Sequence, residues 1–160
     1  MFWILLFLAQ GAAPTQLERG EALFNDTAKG CVSCHSLKGK GTAVGPDLKG
    51  VSRLSPKGIA MAVRSTVTQY VQTAKLKSGD TFPAMTGPAE GDNLTIFNLS
   101  KMPPEKTTVP KGDVSFSANA GWRHPPSAAK FTDEQMADLV AYVRFAGANN
   151  RQPVDPADVQ

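Results

Sequence analysis

The feature that most constrains this chain is a cluster of two thiols and one imidazole. Cys31, Cys34 and His35 form the motif Cys-Val-Ser-Cys-His, and the 160-residue chain has no other cysteine and one other histidine, His124. A structural zinc site normally needs four protein ligands, so zinc would require carboxylates to join these residues. A structural disulfide between the two cysteines would leave His35 without a role.

The surroundings of the motif separate two further interpretations. A thioredoxin-like redox pair should follow a strand of a βαβ unit, whereas the upstream residues 15–24 are good helix formers and predict a helix. The spacing Cys-x-x-Cys-His is also used to attach a c-type haem covalently. In that case Cys31 and Cys34 form thioethers with the haem vinyl groups, and His35 is the proximal ligand of the iron. The motif therefore favours one covalent haem c as cofactor.

Several stretches around this motif resemble the class I cytochrome c family, over roughly residues 17–147. The resemblance is carried by Gly20 and Phe24, the Cys-x-x-Cys-His motif, Gly45-Pro46-Asp47-Leu48 and Ala141-Tyr142-Val143. It implies a mainly α, cytochrome c-like helical fold around one haem. It also implies that Gly20 and Tyr142 lie where the first and last helices cross. Finally, it implies that the Pro46 carbonyl accepts a hydrogen bond from the proximal imidazole, which orients a ligand ring and increases its basicity.

Local signals place further elements along the chain. Ser55 followed by Pro56 is typical of a helix start. The spacing of Thr132 and Gln135 predicts a capping box at the start of the last helix, with Gly147 as its stop. Residues 75–117 contain turn signals and an alternating run at 94–99, and predict a small β-hairpin insert that resembles the insert of some bacterial cytochrome c domains.

The two ends of the chain predict its domain organisation. Residues 1–9 are almost all apolar and are followed by small residues, so residues 1–13 resemble a signal peptide, although the usual basic residues are missing. The run is shorter than the roughly 20 residues of a membrane span, which makes an uncleaved anchor the weaker alternative. We expect an exported, periplasmic protein, either soluble or peripherally membrane-associated. Residues 14–148 would form the cytochrome c domain, and the Pro/Asp-rich residues 149–160 a disordered tail.

The sequence offers two main candidates for the second axial ligand, which is usually a methionine or a histidine. Met102 precedes two prolines, as in the Met-Pro loop of the family, but part of the insert separates it from the last helix. His124 also precedes prolines, and it lies just before the last helix, where the family has its distal ligand. We therefore expect His124, with Met102 as the alternative. Bis-histidine ligation predicts a lower reduction potential than histidine–methionine ligation. Trp122 would pack on the haem edge or belong to an ordinary core.

Charge and composition limit the function. The formal net charge is +3, and no Lys/Arg run is interleaved with aromatic residues, so nucleic-acid binding has little support. The basic residues near the motif would steer a redox partner with an acidic docking surface: they are Lys29, Lys38, Lys40, Lys49, Arg53 and Lys57. We expect an electron carrier and not an enzyme. The alternatives are a haem subunit of a larger membrane electron-transfer complex, docked through residues 94–97, and a haem enzyme or gas sensor with an open sixth site.

Overall fold

The computed structural model describes residues 12–65, 70–118, 121–124 and 130–160. The predicted signal peptide lies outside these residues, apart from its last two positions. Within the described ranges, none of the helices has the length and apolar character needed to cross a membrane.

Along the chain, helices precede and follow residues 72–118, and the long helices begin where the sequence predicts. They are α1 (Gln16–Asn25), α2 (Cys31–Cys34), α3 (Pro56–Arg64) and α4 (Asp133–Ala148). Thr15 and Thr132 each form a capping box, and Ser55 caps α3 with its side chain. These caps satisfy backbone N–H groups that have no partner inside the helix. Short 3-10 helices occur at Val51–Arg53, Lys111–Asp113 and Pro156–Val159.

Helices α1 and α4 cross at Gly20, as the family resemblance implied. A Cβ atom at Gly20 would collide with the Asp138 carbonyl and lie 2.8 Å from Tyr142 Cβ. Beside the crossing, the rings of Phe24 and Tyr142 are 5.7 Å apart. The Arg19 guanidinium donates two hydrogen bonds of 2.7 Å to the Asp138 carboxylate. The absent side chain at Gly20 therefore allows the two helix backbones to come into contact.

Helix α4 continues past Gly147, so the predicted stop is wrong. The helix ends at Ala148, and Asn149 caps it with a φ of 54°, in the left-handed region. Gly147 has a packing role instead, because a Cβ atom there would lie 2.5 Å from the Cβ of the buried Ser52. The glycine lets α4 pack against the Val51–Arg53 turn.

Residues 72–118 form a five-stranded antiparallel sheet, where the sequence predicted only a small β-hairpin. Two short strands, β1 (Ser36–Leu37) and β2 (Lys40–Gly41), come earlier in the chain and pair with each other. The strands of the large sheet are β3 (Gln72–Leu76), β4 (Thr81–Glu90), β5 (Asn93–Asn98), β6 (Glu105–Pro110) and β7 (Val114–Ala118), in the order β6-β5-β4-β3-β7. Of the residues that the structure describes, 36% are in helices and 26% in strands. The expectation of a mainly α fold is therefore wrong: the fold combines helices with a substantial sheet.

The sheet has its own buried side chains on one face. Ala74, Ala84 and Ile96 are at most 1% exposed, and the strand register places them on the same side. They do not belong to the apolar cluster formed by the helices. Because side chains alternate along a strand, Met85 projects from the opposite face of β4. That face is the one directed at the cavity described below, which Met85 lines.

The C-terminal segment is ordered, so the prediction of a disordered tail is wrong. Val154 and Val159 are 3% and 1% exposed and belong to the helical core. The Gln16 side chain exchanges two hydrogen bonds with the Val154 backbone, at 2.8 and 3.0 Å. Arg64 donates to the Val159 carbonyl and pairs with Asp133 at 2.7 Å. The tail thus joins α1, α3 and α4.

Candidate haem site

The two cysteines lie on the single turn of α2, directly before His35. The turn begins after Gly30, whose φ of 84° is in the left-handed region, and closes with a 2.8 Å bond from His35 N to Cys31 O. Both thiols are free and half-buried. Burial raises the pKa of the Cys31 thiol to about 11 and also raises that of Cys34. Two neutral thiols are therefore held side by side next to the histidine.

A tight hairpin after His35 returns the chain beneath the imidazole. Strands β1 (Ser36–Leu37) and β2 (Lys40–Gly41) pair through Lys38 and Gly39, which both have positive φ, as a type I′ turn requires. The chain then runs back along α2, where Gly45 N donates to the Cys34 carbonyl at 2.6 Å. A Cβ atom at Gly45 would lie 2.8 Å from His35 Cε1. Glycine is needed here because the backbone passes directly against the ring.

The His35 ring is oriented by one hydrogen bond. Its Nδ1 atom lies 2.7 Å from the Pro46 carbonyl oxygen. A carbonyl oxygen can only accept, so Nδ1 carries the proton of this bond. In the neutral ring Nε2 is then unprotonated, which is the state that binds a metal. The contact is the one that the resemblance implied for Pro46.

An apolar cavity of about 370 Å³ opens beside His35. Helices α1, α3 and α4 contribute Phe24, Ile59, Val63, Leu139 and Val143 to its lining. Cys31, Cys34 and His35 lie on one side, and Trp122 and His124 also line it. Met85 and Leu99 reach it from the sheet. Its volume and largely apolar lining are those of a small-molecule or cofactor pocket.

His124 faces His35 at a distance suited to a shared metal ion. The centres of the two rings are 6.0 Å apart. Two imidazoles on opposite sides of one metal place their centres roughly 6 Å apart, since a metal–nitrogen bond is about 2.0–2.1 Å long and the nitrogen about 1.1 Å from the ring centre. Trp122 packs edge-on against His124, with ring centres 6.3 Å apart.

The environment of His124 favours a neutral imidazole. Its Nδ1 atom is buried, and no residue in the described part of the chain hydrogen-bonds to it. Burial lowers the pKa of His124 below its usual range, and the charge of His35 lowers it further. A buried nitrogen without a hydrogen bond costs free energy, and the described residues offer this one no partner. The thiol pair, the facing imidazoles and the apolar cavity together fit a covalent haem.

The methionine candidate, Met102, lies away from the cavity, whereas another methionine, Met85, reaches it. Met102 is in the turn between β5 and β6, is 45% exposed and is not among the residues that line the cavity. Met85 does line it, together with Leu99. No role was predicted for Met85, because only the pairing of β4 with β3 and β5 brings that strand to the pocket. The available signal was the alternation of side chains along β4, which puts Met85 on the face opposite Ala84.

Comparison with known proteins supports the part of this site that carries the two cysteines and His35. A family model described as cytochrome c matches residues 17–102, which is more than half of the chain. The protein therefore belongs to the cytochrome c family, a class of haem-binding electron-transfer proteins. Membership implies a covalently attached haem c, and Cys31 and Cys34 fit the attachment motif. No curated protein was found to match the chain.

Proposed function

We propose that this protein is an exported mono-haem cytochrome that carries single electrons between redox proteins, with His35 and His124 as its two axial ligands. The observation that carries the proposal is the 6.0 Å separation of the two imidazoles across the apolar cavity. When bound, the haem supplies a one-electron couple. The chain's own residues hold it through Cys31 and Cys34, fix the His35 ring through Pro46 and exclude water with the apolar lining.

Two filled axial positions favour a carrier over an enzyme. A substrate of a haem enzyme must reach an axial position, and His124 would close the side opposite His35. With both positions closed, the protein's task is to hold the cofactor and to set its potential. Ligation by two imidazoles would give a lower potential than ligation by one imidazole and a thioether.

The exposed cations around the haem motif support an acidic partner. Arg53 is exposed just before α3, Lys57 is exposed in its first turn, and Lys38 is exposed on the β1–β2 turn. Lys40 is partly neutralised by an ion pair with Glu21 at 3.2 Å. Exposed charges of this sign would accelerate encounter with a negatively charged redox protein, with a rate that falls as salt screens them.

The ligand assignment is tested by comparing His124→Ala with Met102→Ala. We expect His124→Ala to lose the low-spin bis-imidazole spectrum of the oxidised protein and to change its reduction potential. Met102→Ala, a matched removal of the other candidate, should leave both unchanged. The opposite pattern, loss of the spectrum in Met102→Ala alone, would refute His124 as ligand.

A gas sensor or haem enzyme is a second candidate, which one observation favours. Pro46 holds the His35 ring, whereas in the described part of the chain no group hydrogen-bonds to His124 Nδ1. A ligand that no second bond holds is easier to displace. The discriminating measurement is carbon monoxide binding to the reduced protein at neutral pH. If the protein is a carrier, its spectrum should not change when the gas is added. Rapid binding of the gas would favour the sensor.

The docked-subunit alternative loses part of its proposed surface. Residues 94–97 were its candidate contact, but Ile96 is fully buried within the sheet. Leu94 and Phe97 are half-buried. The run therefore contributes to the sheet's own packing, which favours an independent carrier. Co-purification of the native protein with a membrane complex after detergent extraction would contradict this.

Export is supported by the apolar run at residues 1–9. Cell fractionation followed by N-terminal sequencing of the mature protein tests it. We expect the haem protein in the periplasmic fraction, with its new N-terminus near residue 14. Recovery of haem protein from the cytoplasm with an intact N-terminus would contradict the proposal.

A further inference from the structure

Asp47 connects the two chain segments that form the His35–Pro46 hydrogen bond. Ser36, the residue after His35, donates its hydroxyl to Asp47 Oδ2 at 2.7 Å. Asp47 itself directly follows Pro46. Its other oxygen, Oδ1, accepts from the backbone N–H of Lys49 at 2.7 Å. The carboxylate therefore joins the segment that carries the ligand to the segment that carries the ligand's acceptor.

Backbone hydrogen bonds align the same two segments. Leu48 N donates to the Ser36 carbonyl at 2.9 Å, and Gly45 N donates to the Cys34 carbonyl at 2.6 Å. These two bonds lie on either side of the 2.7 Å contact between His35 Nδ1 and the Pro46 carbonyl oxygen. Besides the His35 bond itself, the Asp47 carboxylate adds a side-chain connection between the two segments. Removing it would leave the position of the Pro46 carbonyl to the backbone and the His35 bond.

Asp47 also brings a negative charge close to the proximal imidazole. Its side chain is exposed, and the Ser36 and Lys49 hydrogen bonds hold the pKa of its carboxyl below the usual range, with smaller contributions from the charges of Lys49 and His35. The carboxylate is thus ionised at neutral pH. The interaction of such a charge with the site is weakened by water but not abolished.

We propose that Asp47 is a positioning residue for the proximal ligand and that it lowers the reduction potential of the protein. A fixed Pro46 carbonyl strengthens the bond from His35 Nδ1–H, which makes the imidazole a stronger donor and favours ferric iron. A nearby negative charge favours the more positive ferric state as well. The two effects have the same sign. The inference rests on His35 being the proximal ligand in the proposed function, and it does not depend on which residue is the distal ligand.

The test compares midpoint potentials of the haem-loaded protein and two variants by spectroelectrochemistry. Asp47→Asn removes the charge and keeps an acceptor oxygen, whereas Ser36→Ala removes one hydrogen bond and keeps the charge. For Asp47→Asn we expect the ferrous-to-ferric ratio at a fixed potential to rise roughly two- to fivefold, or about 20–40 mV for a one-electron couple. Ser36→Ala should shift the potential in the same direction by less. Ser36→Thr, which keeps the hydroxyl, should restore the parent value.

Asp80→Asn is the matched charge control. Asp80 also accepts a serine hydroxyl, from Ser78 at 2.8 Å, but in the turn between β3 and β4. It does not line the cavity. The variant loses the same charge as Asp47→Asn, and its potential should equal that of the parent. An equal rise in both variants would show that overall charge sets the potential, and would overturn the positioning role.

A second measurement separates positioning from plain stabilisation. In the reduced protein, the proton NMR signal of His35 Nδ1–H should move upfield in Asp47→Asn and Ser36→Ala, because the bond to Pro46 weakens. If both variants melt at a lower temperature but keep the parent potential and the parent signal, the proposal is wrong. Failure of Asp47→Asn to fold would leave Ser36→Ala and its Thr rescue to decide. A parent protein without a c-type haem spectrum would instead contradict the proposed function.

Discussion

The imidazoles of His35 and His124 lie with their ring centres 6.0 Å apart and their planes inclined at 43°. They come from separate loops, one directly after the α2 turn and one shortly before α4. His35 is fixed by the Pro46 carbonyl at 2.7 Å, whereas the buried Nδ1 of His124 lacks a partner among the described residues. This pairing across an apolar cavity is the basis of the functional proposal.

Gly45→Ala tests how closely the backbone must pass the proximal ring. The added Cβ atom would lie 2.8 Å from Cε1 and 3.0 Å from Nδ1 of His35, so the ring or the loop must move. We expect at least a several-fold lower yield of haem-loaded protein, or a raised potential, because the bond to Pro46 is disturbed. Haem content per protein and the midpoint potential check this. Gly112→Ala, where nothing lies within 4 Å of the new Cβ, is the control. Normal haem content and potential in Gly45→Ala would contradict the prediction.

Gly20→Ala tests the crossing of α1 and α4. The new methyl group would collide with the Asp138 carbonyl and force the helices apart, and overpacking of this kind costs roughly 1–3 kcal/mol. The free energy of unfolding from a denaturant titration measures the loss.

Gly50→Ala is the matched control for that substitution. Gly50 has helical φ and ψ of −62° and −45°, and nothing lies within 4 Å of its added Cβ. Its stability should be unchanged or rise by about 0.4–1 kcal/mol, because alanine restricts the unfolded chain. Equal losses in the two variants would show that the helix crossing is not the cause.

Val159→Ala tests the contribution of the ordered C-terminal segment. Val159 is 1% exposed and belongs to the helical core, so the substitution removes buried apolar groups and leaves a cavity. We expect a loss of roughly 1–3 kcal/mol in the free energy of unfolding. Gln152→Ala, an exposed position of the same segment, should change stability by no more than about 0.5 kcal/mol. An unaffected Val159→Ala would mean that the segment does not stabilise the domain.

Asp47 makes the stability depend on acid pH. The Ser36 and Lys49 hydrogen bonds lower the pKa of the Asp47 carboxyl in the folded protein. A lowered folded pKa gives stability that is fully present above the unfolded pKa of about 3.9 and is lost as the pH falls through the folded value. The difference in melting temperature between the parent and Asp47→Asn should therefore be constant near neutral pH and shrink below about pH 4. A difference that grows in acid would contradict this.

The elements that local chemistry specifies could be predicted from the sequence. The side chains of Ser55 and Thr132 each accept a hydrogen bond from the backbone three residues further on, so the starts of α3 and α4 could be predicted from local sequence. The contact of His35 with Pro46 followed from the resemblance to the family. The family model and the geometry of the cavity agree on the haem motif.

The sheet could not be predicted because its central strand breaks the usual rules. β4 contains Pro83 and Pro88, and proline ordinarily argues against a central strand because it cannot donate to the ladder. Pro88 is tolerated at an irregularity, since the register with β5 shifts between Thr86 and Ala89. β6, with the sequence Glu-Lys-Thr-Thr-Val-Pro, has little apolar alternation. Its pairing with β5 is a long-range property of the folded chain.

The order of residues 149–160 was missed for a related reason. Proline and aspartate suggested disorder, but Asp155 and Pro156 are instead the cap and first residue of a short 3-10 helix. The Asp155 side chain accepts from Ala157 N at 2.8 Å. That turn presents Val159 to the helical core. The available signal was the pair of valines in this polar segment, Val154 and Val159, which are both buried. The overall polar composition of the segment outweighed it.

Near-infrared magnetic circular dichroism of the oxidised, haem-loaded protein at neutral pH tests whether His124 ligates the haem iron. The charge-transfer band of low-spin ferric haem differs between bis-imidazole and imidazole–thioether ligation. We predict the bis-imidazole band in the parent and its loss in His124→Ala. A methionine band in the parent, which persists in His124→Ala, would contradict the assignment of His124 as a ligand.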